Sequence, residues 1–263
     1  ERANFMFWNK DKDNEIVFYS KEPGPPELFP VIPAGEVKFD WVKKTTQDYK
    51  NQKKLLSDVR QEATFSHVRA CPGIFDICKT GYVVPLTYDI CVRYIEGRLE
   101  TFSTFENKPL SDNPLGRFYQ SAEAAREPVV EHSKIPGINR TILKFESSYF
   151  VKAPKGIKLL FMPLPYNDTY HYEANMGILD PAVTNIITMQ FWWNKRDEIL
   201  IKAGTPMMQI IPLTEKKLNM VCRQANEKEL KYLQIHDYSL TSQFKVLKQK
   251  DKIINAYNRF IKK

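Results

Sequence analysis

Val151-Lys-Ala-Pro-Lys-Gly-Ile-Lys-Leu-Leu-Phe161, Gly177-Ile-Leu-Asp180 and Ile199-Leu-Ile-Lys-Ala-Gly-Thr-Pro-Met-Met-Gln-Ile-Ile-Pro-Leu213 are three pieces of one stretch, residues 151–213, around which the chain is organised. The two outer pieces are apolar, β-prone runs hinged on a Pro/Gly turn. Glycine supplies turn conformations that other residues resist, and proline interrupts a hydrogen-bonded ladder. The short middle piece ends on an aspartate. Working outward, the same punctuation recurs: 17 prolines against 10 glycines in 263 residues predict many stiff strand-to-loop junctions.

Upstream, residues 82–86 and 88–94 read as two strands broken near Pro85-Leu-Thr87. Tyr88, Ile90, Val92 and Tyr94 alternate with Asp89, Cys91 and Arg93, which predicts one apolar and one mixed face. Pro72-Gly73 signals a turn ahead of them. Residues 97–140 read as an insertion, with a short helix starting at Arg117 and stopped by Pro128. Residues 141–150 return to strand. Residues 186–193 form another, with Trp192 and Trp193 on opposite faces, so that at least one of them is expected at an interface rather than in the core.

Residues 1–70 read as a proline-rich N-terminal extension, β-prone at 16–20, then extended and draped over a neighbouring surface. Within it, residues 43–59 read as an exposed, Lys-rich amphipathic helix or a helix-turn. Residues 71–226 form the β domain. Residues 227–263, with Leu230, Leu233, Phe244, Leu247, Ile253, Ile254, Tyr257 and Ile261 among many lysines, form a basic helical arm.

The net charge of +8 has two readings: a surface for polyanions, or a solvated lysine-rich exterior. No apolar run reaches the ~20 residues a membrane-spanning helix needs, and no signal-peptide pattern opens the chain, so no membrane partner is expected. Cys71, Cys78, Cys91 and Cys222 are expected to be reduced. No Cys-x-x-Cys pair exists and the four histidines stand far apart, so no metal is expected, nor any other cofactor.

Motifs for phosphate loops, dinucleotide folds, nucleophile elbows and zinc proteases are absent. Candidate ligand-binding residues are therefore individual polar ones. Asp89 at a strand start suits a ligand hydroxyl or amide, or equally a structural cap. The loop at 162–172 carries Tyr166, Asp168 and His171, which suit either a ligand or a packing lid and oligomer contact.

The order Tyr88-Asp89-Ile90, then Ala153-Pro-Lys-Gly156 and strand, then Gly177-Ile-Leu-Asp180, then Ala203 to the Gln209-Ile-Ile211 end resembles the β-clip fold of the dUTPase and dCTP-deaminase superfamily. The resemblance implies a mainly β, β-clip (dUTPase-like) core, to which the residue pattern adds helical insertions and the basic helical C-terminal arm. It makes Asp180 the match to the acidic residue that positions the attacking water, and Gln209 the match to a phosphate-contacting glutamine. Three departures stand out. Met162-Pro-Leu-Pro165 replaces the serine-containing phosphate motif. No tyrosine follows Asp180 in residues 181–184. No glycine-rich fifth motif follows residue 213.

The chain is also similar, over most of its length, to a family of bacteriophage proteins, many from cyanophages and related marine phages. The shared segments are Cys-Pro-x-x-x-Asp at 71–76, Lys-x-Pro-Lys-Gly at 152–156 and Ala-Gly-Thr-Pro-x-x-Gln-Ile-Ile-Pro at 203–212. Taken together, these features lead to an expected non-catalytic phage protein, an assembly or binding module in the virion or the infected host cytoplasm. Its expected partners are copies of itself or other virion proteins. The alternatives are a nucleotide-binding or deoxynucleotide-hydrolysing protein with a rebuilt pocket, and a protein that binds DNA electrostatically.

Overall fold

A computed structural model describes residues 14–58, 68–95, 98–103, 117–120, 141–166, 171–193 and 198–230. The described residues form fourteen strands in three sheets, with three α-helices at their margins, so the protein is mainly β.

The first sheet runs β14 (Asn219–Gln224), β1 (Glu15–Ser20), β7 (Thr141–Lys152), β11 (Ile186–Trp193), β9 (Tyr172–Ala174), with β6 (Arg117–Gln120) also paired to β7. The second runs β10 (Gly177–Leu179), β8 (Leu159–Met162), β13 (Pro206–Pro212), β3 (Tyr82–Pro85), β2 (Ile32–Pro33). The third is β12 (Ile199–Ile201), β4 (Ile90–Ile95), β5 (Arg98–Ser103).

Side-chain alternation along the strands explains how the sheets pack. In β1, Ile16 and Phe18 enter the main core, while Val17 and Tyr19 enter a smaller cluster with Phe150 and Ala225 on the other face. The main core is shared by all three sheets: Phe145, Tyr149, Val151 and Phe191 from the first, Val84, Leu159, Phe161 and Ile210 from the second, Ile90, Val92 and Ile201 from the third. The alternation expected for residues 88–92 therefore holds, with Tyr88, Ile90 and Val92 all buried.

Several expectations change. Residues 16–20 do not lie in an extension outside the β body. β1 is an inner strand, parallel to β14 on one side and antiparallel to β7 on the other, because every side chain from Ile16 to Tyr19 is apolar and covered on both faces. The proline-rich segment is not wholly extended: Pro25–Leu28 makes one turn of helix, α1, with Pro25 in its first turn where no amide is needed. The same reasoning converts Pro72-Gly73 from a turn into the start of α3 (Pro72–Lys79), whose Phe75 and Cys78 face inward. Arg117–Gln120 is strand rather than helix, because Phe118 pairs with Phe145 and Tyr119 with Lys144 on β7. Both Trp192 and Trp193 are buried within the one chain. The expected helix at 43–59 is α2 (Asp40–Asp58). Of the C-terminal arm, residues 227–230 are described and are helical; the remainder, and most of the 97–140 insertion, lie outside the described residues.

Two corners matter for the candidate site. The chain passes from the second sheet to the third between β3 and β4, and returns between β12 and β13. There Leu86 and residues 204–205 exchange backbone hydrogen bonds, Leu86 N to Thr205 O and Gly204 N to Leu86 O, each at 2.8 Å. Gly204, at φ +83°, makes that return possible.

Candidate functional site

Gln209 sits in the middle of β13 on the face covered by α3, and is 1 % exposed. Its amide nitrogen donates to Ile77 O at 2.7 Å, in the last turn of α3, and to Thr80 O at 2.5 Å, at its cap. Carbonyls at a helix C-terminus lack intrahelical partners and need donors of this kind. Both amide protons are thereby used. The group that remains, Oε1, is an acceptor, the wrong polarity for a phosphate.

Asp89 lies at the sheet-to-sheet corner. Its Oδ1 accepts the amide of Ala203 at 2.7 Å, tying the start of β4 to the turn before β13. The bond is structural but joins residues 114 apart in sequence, so it is not the local turn closure expected of an aspartate at a strand start. Beside it, the Thr87 and Ser148 hydroxyls form a buried pair 2.5 Å apart, joining the corner to β7.

Asp180 follows β10. Its Oδ1 accepts Ala182 N at 3.0 Å, while its carbonyl accepts Val183 N at 2.9 Å and Thr184 N at 3.0 Å. A short carboxylate that bonds the amide two residues on closes a turn locally, and Pro181 suits the second position of that turn.

Tyr166 is 55 % exposed and holds φ at +53°, an uncommon conformation for a residue with a side chain. Its ring meets Trp41 edge-on at 5.5 Å; Trp41 in turn packs on Phe75 at 5.8 Å, and the Arg69 guanidinium lies 4.1 Å over Phe75. The loop tyrosine thus packs on the start of α2, and Trp41 in turn joins α2 to α3, which is the packing use of this loop. His171 immediately precedes β9 and is half-buried. Asp168 lies outside the described residues.

Among the described residues, Gln209, Asp89, Asp180 and Tyr166 are consequently not gathered into one pocket. Gln209 clamps a helix, Asp89 closes a corner, Asp180 closes a turn, and Tyr166 packs on aromatic rings. Three of the cysteines are also set apart from nucleophilic chemistry. All four are free, and burial raises the Cys78, Cys91 and Cys222 thiols above their ordinary range, which keeps them protonated at neutral pH. Among the described residues no cluster of three or more His, Cys, Asp or Glu could hold a metal ion.

Two features missed in the sequence are apolar. One is a groove of about 190 Å³ lined by Leu28, Phe29, Pro30, Val83, Gly204 and Pro206, among others. The buried Tyr149 hydroxyl donates to Phe29 O at 2.6 Å and fixes one wall. The other is the β10 edge, where Met176 is 72 % and Ile178 65 % exposed. A signal for each was present: 174–179 is a six-residue run without charge, and 28–33 places two prolines among large apolar residues.

No protein-family model matches the chain, and no curated protein matches it either.

Proposed function

We propose that the protein works without catalysis, as an assembly or binding module built on a β-clip-like core, and that it serves a phage particle. One observation carries this reading: the two side chains aligned with a nucleotide-hydrolysing site bond within the fold, Gln209 through both amide protons and Asp180 through Oδ1. A water-positioning aspartate must point at substrate, yet Asp180 bonds its own turn. A phosphate-binding glutamine must donate, yet both Gln209 protons go to α3 carbonyls. Phosphoryl transfer rests almost entirely on positioned donors and charge, so a fold that spends its donors internally lacks the main source of rate. The exposed apolar groove and edge supply contact surfaces instead.

The purified chain is expected to leave deoxynucleoside triphosphates intact. Asp180→Asn is expected to melt within a few tenths of a kcal/mol of the parent, since asparagine keeps the acceptor for Ala182 N. Hydrolysis or deamination that Asp180→Asn abolishes would overturn the proposal in favour of an enzyme. A rise in melting temperature with one nucleotide, through preferential binding to the folded state, would favour a nucleotide-binding protein instead.

A further inference from the structure

Glu229 is the one carboxylate among the described residues that the fold buries, at 6 % exposure. Burial of a carboxylate is costly unless charge and hydrogen bonds replace the water it loses. The residue stands at the start of the C-terminal helix, just after the chain leaves β14.

That helix start lies across the outer face of the first sheet. Two rows of paired residues cross this face, turned away from the main core. One is Val221, Val17 and Lys152, on β14, β1 and β7 in turn; the other is Arg223, Tyr19 and Phe150. The Tyr19 and Phe150 rings stack at 5.6 Å, and Ala225 and Leu230 pack against them together with Val17. Glu229 reaches a cation on each side of β1. Arg223 of β14 donates to both of its oxygens, at 2.7 and 2.9 Å, and Lys152 of β7 lies 3.5 Å away. The Asn226 amide donates to the same group at 2.8 Å. Three contacts that fix this turn therefore end on one carboxylate.

The other groups nearby are neutral or turned outward. β1 presents Val17 and Tyr19, whose hydroxyl accepts from Asn185 at 2.7 Å. Lys21, just past β1, lies over the Phe150 ring at 5.5 Å. Glu227 and Lys228, on the same turn as Glu229, are exposed. Among the described residues Arg223 and Lys152 are thus the charges that oppose Glu229.

Such a turn depends on ionisation. Burial pushes the Glu229 carboxyl up, while Arg223, the Asn226 amide and Lys152 pull it below its ordinary value. A depressed carboxyl contributes fully above the free-chain value of about 4.3, and the contribution is lost as pH falls through the lower folded value. Once protonated, the group is a neutral acid with no net charge to attract either cation. What then remains on the sheet is chiefly Ala225 and the half-buried Leu230. A segment with so little buried apolar contact opens locally.

We propose that residues 225–230 form a charge-set catch over the outer face of β1, which opens when Glu229 takes up a proton and uncovers Val17, Tyr19 and Phe150 while the sheets stay folded. The catch is a two-state element biased by one charge, and it goes beyond the non-catalytic reading without depending on it.

Amide hydrogen exchange followed by NMR on the full chain tests it. The Glu229 and Leu230 amides, bonded to Asn226 Oδ1 and O, report the catch. Amides of residues 149–151 report the sheet. At neutral pH the parent is expected to protect both sets. As the pH is lowered from about 4.3 to about 3, the Glu229 and Leu230 amides are expected to lose about tenfold or more in protection, the scale of one lost charge-assisted hydrogen bond, while residues 149–151 stay protected. Glu229→Gln is expected to show the open pattern already at neutral pH, with no further change on acidification. The parent titration needs no substitution, so the proposal stays testable if the variant folds poorly. Three results would each overturn the catch: equal protection of Glu229 and Leu230 at both ends of the titration, loss of residues 149–151 at the same pH, or an onset well above about 4.3, which would assign the opening to another group.

Discussion

At the scale of single residues, Gly81 shows how little freedom the junction between α3 and β3 leaves. Its φ is +78°, and a Cβ there would stand 2.2 Å from Ile210 O on the neighbouring strand. Its carbonyl also receives Ala34 N at 2.9 Å, so the backbone has no room to retreat. The left-handed conformation costs a residue with a side chain about 1–2 kcal/mol, and the clash with backbone adds to it. Gly81→Ala is expected to lose at least about 3 kcal/mol in urea denaturation. Gly156, at φ +86° but with open space around it, should lose only about 1 kcal/mol on the same change. Equal losses at the two positions would show that the contact with Ile210 contributes nothing. At this scale the sequence marks which polar residues matter but not what they do. Gln209 could be picked out from its motif, yet its partners Ile77 and Thr80 lie 132 and 129 residues away, and no local pattern reports such a pairing.

Elements follow the same division. β1, β4, β7, β8 and β13 were legible because strands buried on both faces, or alternating cleanly, announce themselves through apolar periodicity. α3 and β6 were not. A Pro-Gly pair opens a helix as readily as a turn, and the short Arg117–Gln120 segment takes its conformation from the partner β7. The start of the C-terminal arm is a case where chemistry decides. Glu229 accepts Asn226 N at 2.8 Å while Asn226 Oδ1 accepts Glu229 N at 2.9 Å, a reciprocal cap on the helix that begins at 227. The same carboxylate is gripped by Arg223 of β14 at 2.7 and 2.9 Å and lies 3.5 Å from Lys152 of β7. Burial alone would raise the Glu229 carboxyl, but Arg223, the Asn226 amide and Lys152 together hold it below its ordinary value. A depressed carboxyl stabilises the fold above the unfolded-chain pKa of about 4.3 and loses that contribution as pH falls through its lower folded value. Glu229→Gln is therefore expected to cost about 1.5–3 kcal/mol at pH 7. The gap to the parent should narrow as the pH is lowered to about 3, read from urea midpoints at the two pH values. A gap that stayed constant with pH would mean that the charge on Glu229 is not what holds the helix to the sheet.

Across the whole molecule, the pairing that closes the first sheet joins the two distant ends of the described chain. β1 is hydrogen-bonded in parallel to β14, Glu15 opposite Asn219 through Ser20 opposite Gln224, and in antiparallel to β7. Parallel neighbours so far apart in sequence leave no turn signature, which is why an N-terminal extension is the natural expectation from sequence and an inner strand is what the fold contains. The arrangement makes a prediction about dynamics. A segment draped over a neighbour opens locally, whereas a strand with partners on both sides and Ile16 and Phe18 fully buried opens only when the sheet does. In native-state hydrogen exchange, amides of residues 16–19 should show the same opening free energy as those of residues 149–151 on β7, and the same denaturant dependence. Phe18→Ala, which empties a site in contact with Tyr82 across the core, is expected to lower both sets together by about 3–5 kcal/mol. If residues 16–19 exchanged through a smaller, denaturant-independent opening while β7 kept its protection, β1 would be a detachable strand, and the β14–β1–β7 order would describe one docked state of a movable terminus.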